Sequence, residues 1–209
     1  PSHPGLLDWL AADLIENKWS LKKLHRKILL SSAWQMSSAH DHEKYTLDGD
    51  NRLLWRAFPR KLEVESWRDT LLAVTGEFDR KLGGAPVTEI LSSNRRTIYA
   101  TISRTGDRFR SDEFLRLFDF PAAVSTSAKR SVSTVPQQYL FMMNSPFMIS
   151  RAATLGSWLH EHGSEINRRI ELVYHKLYSR PPETGEIQIA KNWLGDSPSR
   201  ETWNQYAQV

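Results

Sequence analysis

The sequence predicts a mainly α-helical protein, an irregular multi-helix domain with at most a small β-hairpin, and three observations carry that expectation. Apolar residues recur at helical spacing through much of the chain, as in Leu6, Leu7, Leu10, Leu14 and Ile15, the pattern of an amphipathic helix. Helix-start residues precede several such runs, among them Pro4, Ser20, Pro136 and the pair Ser145-Pro146; Pro suits a first turn because its missing N–H would be unpaired there anyway. The best strand candidate is a single alternating run, Thr97 to Ile102, β-prone and read as one half of a hairpin around Arg96–Ser103.

In chain order, the first helix follows Pro4 and ends near Asn17-Lys18. Ser20 caps a second, predicted over Ser20–Gln35, with Leu21, Leu24, Ile28 and Leu29 on one face and Lys22, Lys23, Arg26 and Lys27 on the other. Ser37 to Asn51 reads as a polar loop. A strong helical segment runs from Arg60 to Thr75 and is stopped by Gly76. Gly83-Gly84-Ala85-Pro86 is a turn without the Lys and Ser/Thr of a phosphate loop. Asp112 to Phe118 forms a short helix, Ser164 caps another bearing Ile166, Ile170, Val173 and Leu177, and Thr184–Leu194 is read as the last helix. The longest apolar run, Val135 to Leu159, predicts a buried helical hairpin started by Pro136 and by Ser145-Pro146, because helices apolar nearly all round are buried. It is too short and interrupted to span a membrane, and its Met142, Met143 and Met148 are read as core fillers rather than metal ligands.

The chain has 209 residues, 40% hydrophobic and 25% charged, enough for a real core and predicted here as a single domain. It has no Cys, which excludes disulfides, thiol nucleophiles and covalent haem attachment within these residues. The formal charge of +4 is mildly basic and short of a nucleic-acid tail. Eight Trp residues are spread along the chain, each able to anchor a small core or, if exposed, to stack on a sugar ring or a partner. The chain begins at Pro1 without Met and ends on Gln208-Val209; a fragment of a larger multidomain protein is the expectation.

Candidate functional residues fall in three places. Ser92 to Arg110 carries Arg95, Arg96, Arg104, Arg108 and Arg110 against one acid, Asp107. With Arg130 these arginines are candidate ligands for phosphate, sulfate or carboxylate, which a guanidinium holds through two parallel hydrogen bonds; pairing with the protein's own acids is the competing reading. Glu65 and Asp69, four apart on one helix face, are a possible catalytic acid pair, with a charge network locking that helix to its neighbour as the alternative. His40, His42 and nearby acids are read as a solvated loop, because no second ligand pair stands at a diagnostic spacing. No metal and no cofactor is expected.

Several segments together resemble a known family: PSHPGLLDWLA at Pro1–Ala11, WSLKKLHRKILLSSAWQMSS at Trp19–Ser38, NRLLWR at Asn51–Arg56 and RKLEVESWRDTLLAVTG at Arg60–Gly76. RRTIY at Arg95–Tyr99, LRLFDFP at Leu115–Pro121, RSVSTVPQQYLFMMNSPF at Arg130–Phe147 and YHKLYSRPPETGE at Tyr174–Glu186 complete the set. In content and order they are similar to the planctomycete secreted domain, domain of unknown function 1553. That resemblance implies the C-terminal module of a large exported bacterial protein, often preceded by cytochrome c-like domains, and hence an extracytoplasmic location. It implies no reaction and carries over no catalytic residue. The matching polar positions are Arg68, Asp69, Arg95, Arg96, Asp119, Arg130, Gln137 and Asn144, which fit a buried structural network as well as a site. The leading expectation is a non-catalytic interaction or ligand-binding module, contacting neighbouring domains, a polysaccharide or a small anion. The alternatives are a carbohydrate-active hydrolase using Glu65 and Asp69, and nucleic-acid binding, which the exported setting counts against; enzyme or not is left open.

Overall fold

A computed structural model of the chain describes residues 3–105, 108–124, 126–163 and 165–209. Among the described residues it is mainly α-helical, with ten α-helices and no named strand. It divides into two compact units, Pro1–Lys61 and Leu62–Val209. The expected capping role of Ser164 lies outside the described residues, as does the acid Asp107.

The first unit holds α1 (Pro4–Glu16), α2 (Leu21–Leu29) and α3 (His42–Leu47). Polar contacts hold it together. Asp13 of α1 is buried and takes an ion pair from Lys27 of α2 and a hydrogen bond from Asn17 at 3.2 Å. Between the helices Lys18 and Trp19 both take the left-handed conformation, unusual for residues with side chains. The predicted second helix stops at Leu29 instead of Gln35. The predicted polar loop contains α3, because Asp41 caps it by accepting the Lys44 N–H at 3.1 Å. Beyond α3 the Asp48 carboxylate accepts the Arg52 and Leu53 N–H groups at 2.9 and 2.7 Å. The buried Asn51 closes the next turn on the Arg56 carbonyl at 2.7 Å. Among the described residues of this unit no apolar side chain is fully buried.

The second unit contains two cores. One is made by α7 (Pro146–Glu161), α8 (Ile166–Tyr178), α9 (Thr184–Leu194) and α10 (Arg200–Gln208). Leu155, Leu159, Ile170, Val173, Ala190, Leu194 and Trp203 meet there. Helix α10 was not among the predicted elements. Ser199 caps it at Thr202 N–H (3.1 Å), and it crosses α7 so closely that a Cβ on Gly156 would come within 2.5 Å of the Asn204 backbone. It carries few apolar residues, so the sequence pattern is weak; what it buries is Trp203.

The other core lies among α4 (Val64–Val74), α5 (Arg110–Leu117), α6 (Pro136–Asn144) and the intervening loop. Val64, Ile90, Phe114 and Leu115 are buried. Trp67, Phe114, Phe118 and Phe141 stack around them, with ring centroids 4.9–6.4 Å apart. Pro136 and Pro146 open α6 and α7 as expected, and Ser145 caps α7 through Met148 N–H at 3.2 Å. Burial on all sides fails for α6, however. Tyr139, Leu140 and Met143 are exposed, while Gln138 is buried. Helix α6 meets the aromatic cluster through Phe141 alone among its large apolar residues, whereas α7 occupies the interior place.

The strand expected over Thr97–Ile102 is also replaced. Thr97–Tyr99 is a turn of 3-10 helix, closed by Tyr99 N–H on the Arg96 carbonyl at 3.0 Å. Among the described residues isolated bridges alone remain, Asp79 with Arg95 and Val87 with Ala100, both parallel. The β-prone alternation loses because the Thr97 N–H and hydroxyl are taken by the Asp69 carboxylate at 2.8 and 2.6 Å, which curls the chain away from a ladder.

Candidate functional site

Arg68 is the centre of the polar residues singled out from the sequence. It lies on α4, and its side chain is fully buried. One terminal nitrogen donates to the Arg95 carbonyl at 2.9 Å and to the Thr97 hydroxyl at 3.1 Å. The other donates to the carbonyls of Ile90 and Ser93. A single guanidinium thus fastens the whole loop Ile90–Thr97 to α4, using the fork of donors that only arginine offers. Burial brings its pKa down to about 10; the neighbouring Asp69 carboxylate, 3.6 Å away, opposes the change and Arg151 adds to it. Arg68 therefore remains charged at neutral pH. Asp69 supplies the balancing charge while also holding Thr97, and Arg96 approaches it to 3.8 Å.

Glu65, one turn earlier on α4, faces a different partner. Arg130 grips it with two parallel hydrogen bonds of 2.7 Å and reaches Glu63 at 3.5 Å. Burial pushes the Glu65 carboxyl up, but the Arg130 hydrogen bonds and charge, with its own N–H, outweigh burial and hold it below the ordinary glutamate value. The same hydrogen bonds raise Arg130. A carboxyl held ionised in this way is poorly suited to donate a proton as a general acid. Glu65 and Asp69 each bind a separate partner and act as two struts of α4.

The arginines of the loop divide into two groups. Arg95 is turned into its own loop: it donates to the carbonyls of Ala85, at 2.8 Å, and Gly83, and lies 4.0 Å from the Tyr99 ring centroid. Arg96 and Arg110 are exposed and face Asp69 and Glu89 respectively, the latter at 3.2 Å. Arg130 is committed to Glu65. Arg104 and Arg108 are exposed and have no hydrogen-bond or ion-pair partner among the described residues. Arg104 lines a shallow cavity of about 170 Å³. Leu115, Phe120 and Pro121 belong to its apolar part, and Arg116 and Asp112 line it as well. The Asp112 carboxylate is occupied by the backbone N–H groups of Ser103, at 2.9 Å, and Phe109, at 3.3 Å. Among the described residues no three His, Asp or Glu side chains converge as a metal site.

Of the remaining polar positions, Asp119 takes the N–H and hydroxyl of Ser133 at 2.8 and 2.6 Å, with its own backbone left-handed. Gln137 and Asn144 are exposed. On α6 the buried amide is Gln138, which donates to the Leu117 carbonyl at 2.9 Å. Sequence reasoning also passed over Ser111, whose hydroxyl accepts the Ile90 N–H at 2.9 Å and donates to the Thr88 carbonyl at 3.0 Å. For Gln138 the missed signal was its position: it follows Pro136 by two residues, on the face of α6 that carries Phe141 three residues on. Ser111 gave none, because its partners lie more than twenty residues away in a loop.

A family model described as "Protein of unknown function (DUF1553)" matches residues 1–194 of the chain. No curated protein and no solved structure matches it. The match covers both units up to the end of α9.

Proposed function

We propose, for a chain that belongs to the family described as protein of unknown function (DUF1553), that it is a non-catalytic interaction module binding an anionic group at the arginine-lined edge of its second unit. The anionic group is a small anion or the acidic part of a polysaccharide or of a neighbouring domain. The observation that carries the reading is the division among the six candidate arginines. Arg95, Arg96, Arg110 and Arg130 answer to the protein's own carbonyls and carboxylates, while Arg104 and Arg108 have no such partner among the described residues. An exposed guanidinium beside an apolar depression suits a carboxylate or sulfate attached to a carbon skeleton, since the charge and the skeleton each meet a matching surface. The commitment of Glu65 and Asp69 to structural partners supports a module without catalysis. The wider setting, an exported planctomycete multidomain protein with cytochrome c-like neighbours, rests on the resemblance of the segments alone.

Thermal unfolding in the presence of sulfate, phosphate and acidic oligosaccharides tests this reading, because a ligand bound only by the folded state raises the midpoint by mass action. A ligand-induced rise in the parent chain that is lost in Arg104→Glu is the expected result. A rise that survives in Arg104→Glu with Arg108→Glu, or no rise with any of these anions, overturns it.

A further inference from the structure

Helix α2 combines two features. It segregates apolar from basic side chains more sharply than α1 or any helix of the second unit. Yet none of its residues is buried. Leu24 and Ile28 are half-covered, while Leu21, Leu29 and Leu30 are exposed. Trp19 and Trp34, on either side of the helix, are 71% and 62% exposed. Lys22, Lys23 and Arg26 are exposed without a hydrogen-bond or ion-pair partner among the described residues; Lys27 alone is committed, to Asp13. Residues 17–40 contain five Lys or Arg and no Asp or Glu.

We propose that α2, with Trp19 and Trp34 beside it, seats the first unit on an anionic bilayer surface. A short helix with a strongly charged face, low mean hydropathy, basic residues and exposed Leu and Trp has the composition of one that lies in the lipid interface. The exposed Leu and Trp side chains enter the boundary between headgroups and acyl chains. The lysines extend their apolar stems along it and keep their charges among the headgroups. The charge decides among occupants. A second copy meeting this face symmetrically would set the uncommitted Lys22, Lys23 and Arg26 against their own counterparts, with no acid in the segment to compensate, whereas an anionic headgroup layer complements all three. This surface is distinct from the Arg104 cavity of the second unit, and either proposal stands without the other.

The test is co-sedimentation of the full chain with vesicles of pure phosphatidylcholine and with vesicles of equal parts phosphatidylcholine and phosphatidylglycerol. Binding to the mixed vesicles, weakened by salt, and little to the neutral ones is expected. Reversing Lys22, Lys23 and Arg26 to Glu should lower that binding by about a hundredfold or more, since each basic residue near such a surface contributes a factor of about five. A charge-matched variant reversing the exposed Lys81, Lys129 and Lys191 of the second unit should lose far less. Far-UV circular dichroism of both variants confirms that the helices persist, and Trp19→Ser with Leu30→Ser provides a second variant that keeps the charges but removes the apolar contacts. Equal binding to both vesicle types, equal loss in the two charge variants, or no binding at all overturns the proposal. So does concentration-dependent dimerisation that Leu21→Glu abolishes, which would assign the face to a second copy.

Discussion

The second unit folds around two cores built in different ways. Between α7, α8, α9 and α10 the interior is apolar: seven buried side chains, from Leu155 to Trp203, with Gly156 letting α10 come close. Around α4 the interior has a smaller apolar centre, and the loop Ile90–Thr97 is bound to it by Arg68, Asp69 and Ser111. The first kind tolerates adjustment, because dispersion and burial are spread over many contacts. The second is concentrated in a few charged donors and acceptors, and a buried group that loses its partner costs far more than the pair contributes. In this core Arg68, Asp69 and Glu65, singled out as polar candidates from the sequence, make the contacts that hold the loop and α4 in place.

The largest expected effect separates the two designs directly. Arg68→Met keeps the bulk but leaves the carbonyls of Ile90, Ser93 and Arg95 without their donor and removes the charge beside the Asp69 carboxylate, and should cost about 3–5 kcal/mol in chemical denaturation, the range for breaking a buried charged network. A loss under about 1 kcal/mol, within the ordinary range for an uncharged hydrogen bond, would show that the loop is held by its apolar contacts instead. Gly156→Ala probes the apolar core from the other side. Its methyl would meet the Asn204 backbone, which cannot rotate away, so overpacking should cost about 1–3 kcal/mol or more. A thermal midpoint equal to the parent's would mean that α10 shifts freely on α7.

The ion pair of Glu65 with Arg130 gives a pH signature that the apolar core lacks. The folded pKa of Glu65 is below its ordinary value of 4.5. Its stabilisation is therefore fully present above that value and is lost as pH falls through the lower folded pKa. Denaturation curves from neutral pH downward should show stability falling below about pH 4.5, with a shallower fall in Glu65→Gln. Identical slopes in the two proteins would remove Glu65 from the network. The smallest effect belongs to the candidate binding residue: Arg104→Glu should change stability by less than about 0.5 kcal/mol, as at surface positions without partners, while removing the response to anions.

Legibility followed the same division. Helices α1, α7, α8 and α9 were readable because apolar spacing, Pro and Ser mark them locally. The short α3 and the polar α10 were not, since one is set by a single Asp cap and the other by Trp203 meeting a distant core. Thr97–Ile102 was misread because alternation describes the residues' own preference, and a carboxylate twenty-eight positions away overrides it. At the candidate site the arginine cluster was visible as composition. Its sorting into committed and uncommitted members was not, because that depends on which carbonyls and acids the fold brings near.

By itself the sequence determined the helical class, the places where most helices begin, the lack of cysteine in these residues and the family. Each depends on residue type, local spacing or the order of segments along the chain. Only the tertiary structure decided that Arg68 is a buried clasp, that Glu65 and Asp69 serve different partners, and that Arg104, Lys22, Lys23 and Arg26 are exposed without an ion-pair partner among the described residues. Ion pairing and burial depend on separations in space, and a few ångströms between groups far apart in the chain determine whether a charge is spent inside the protein or presented outside it.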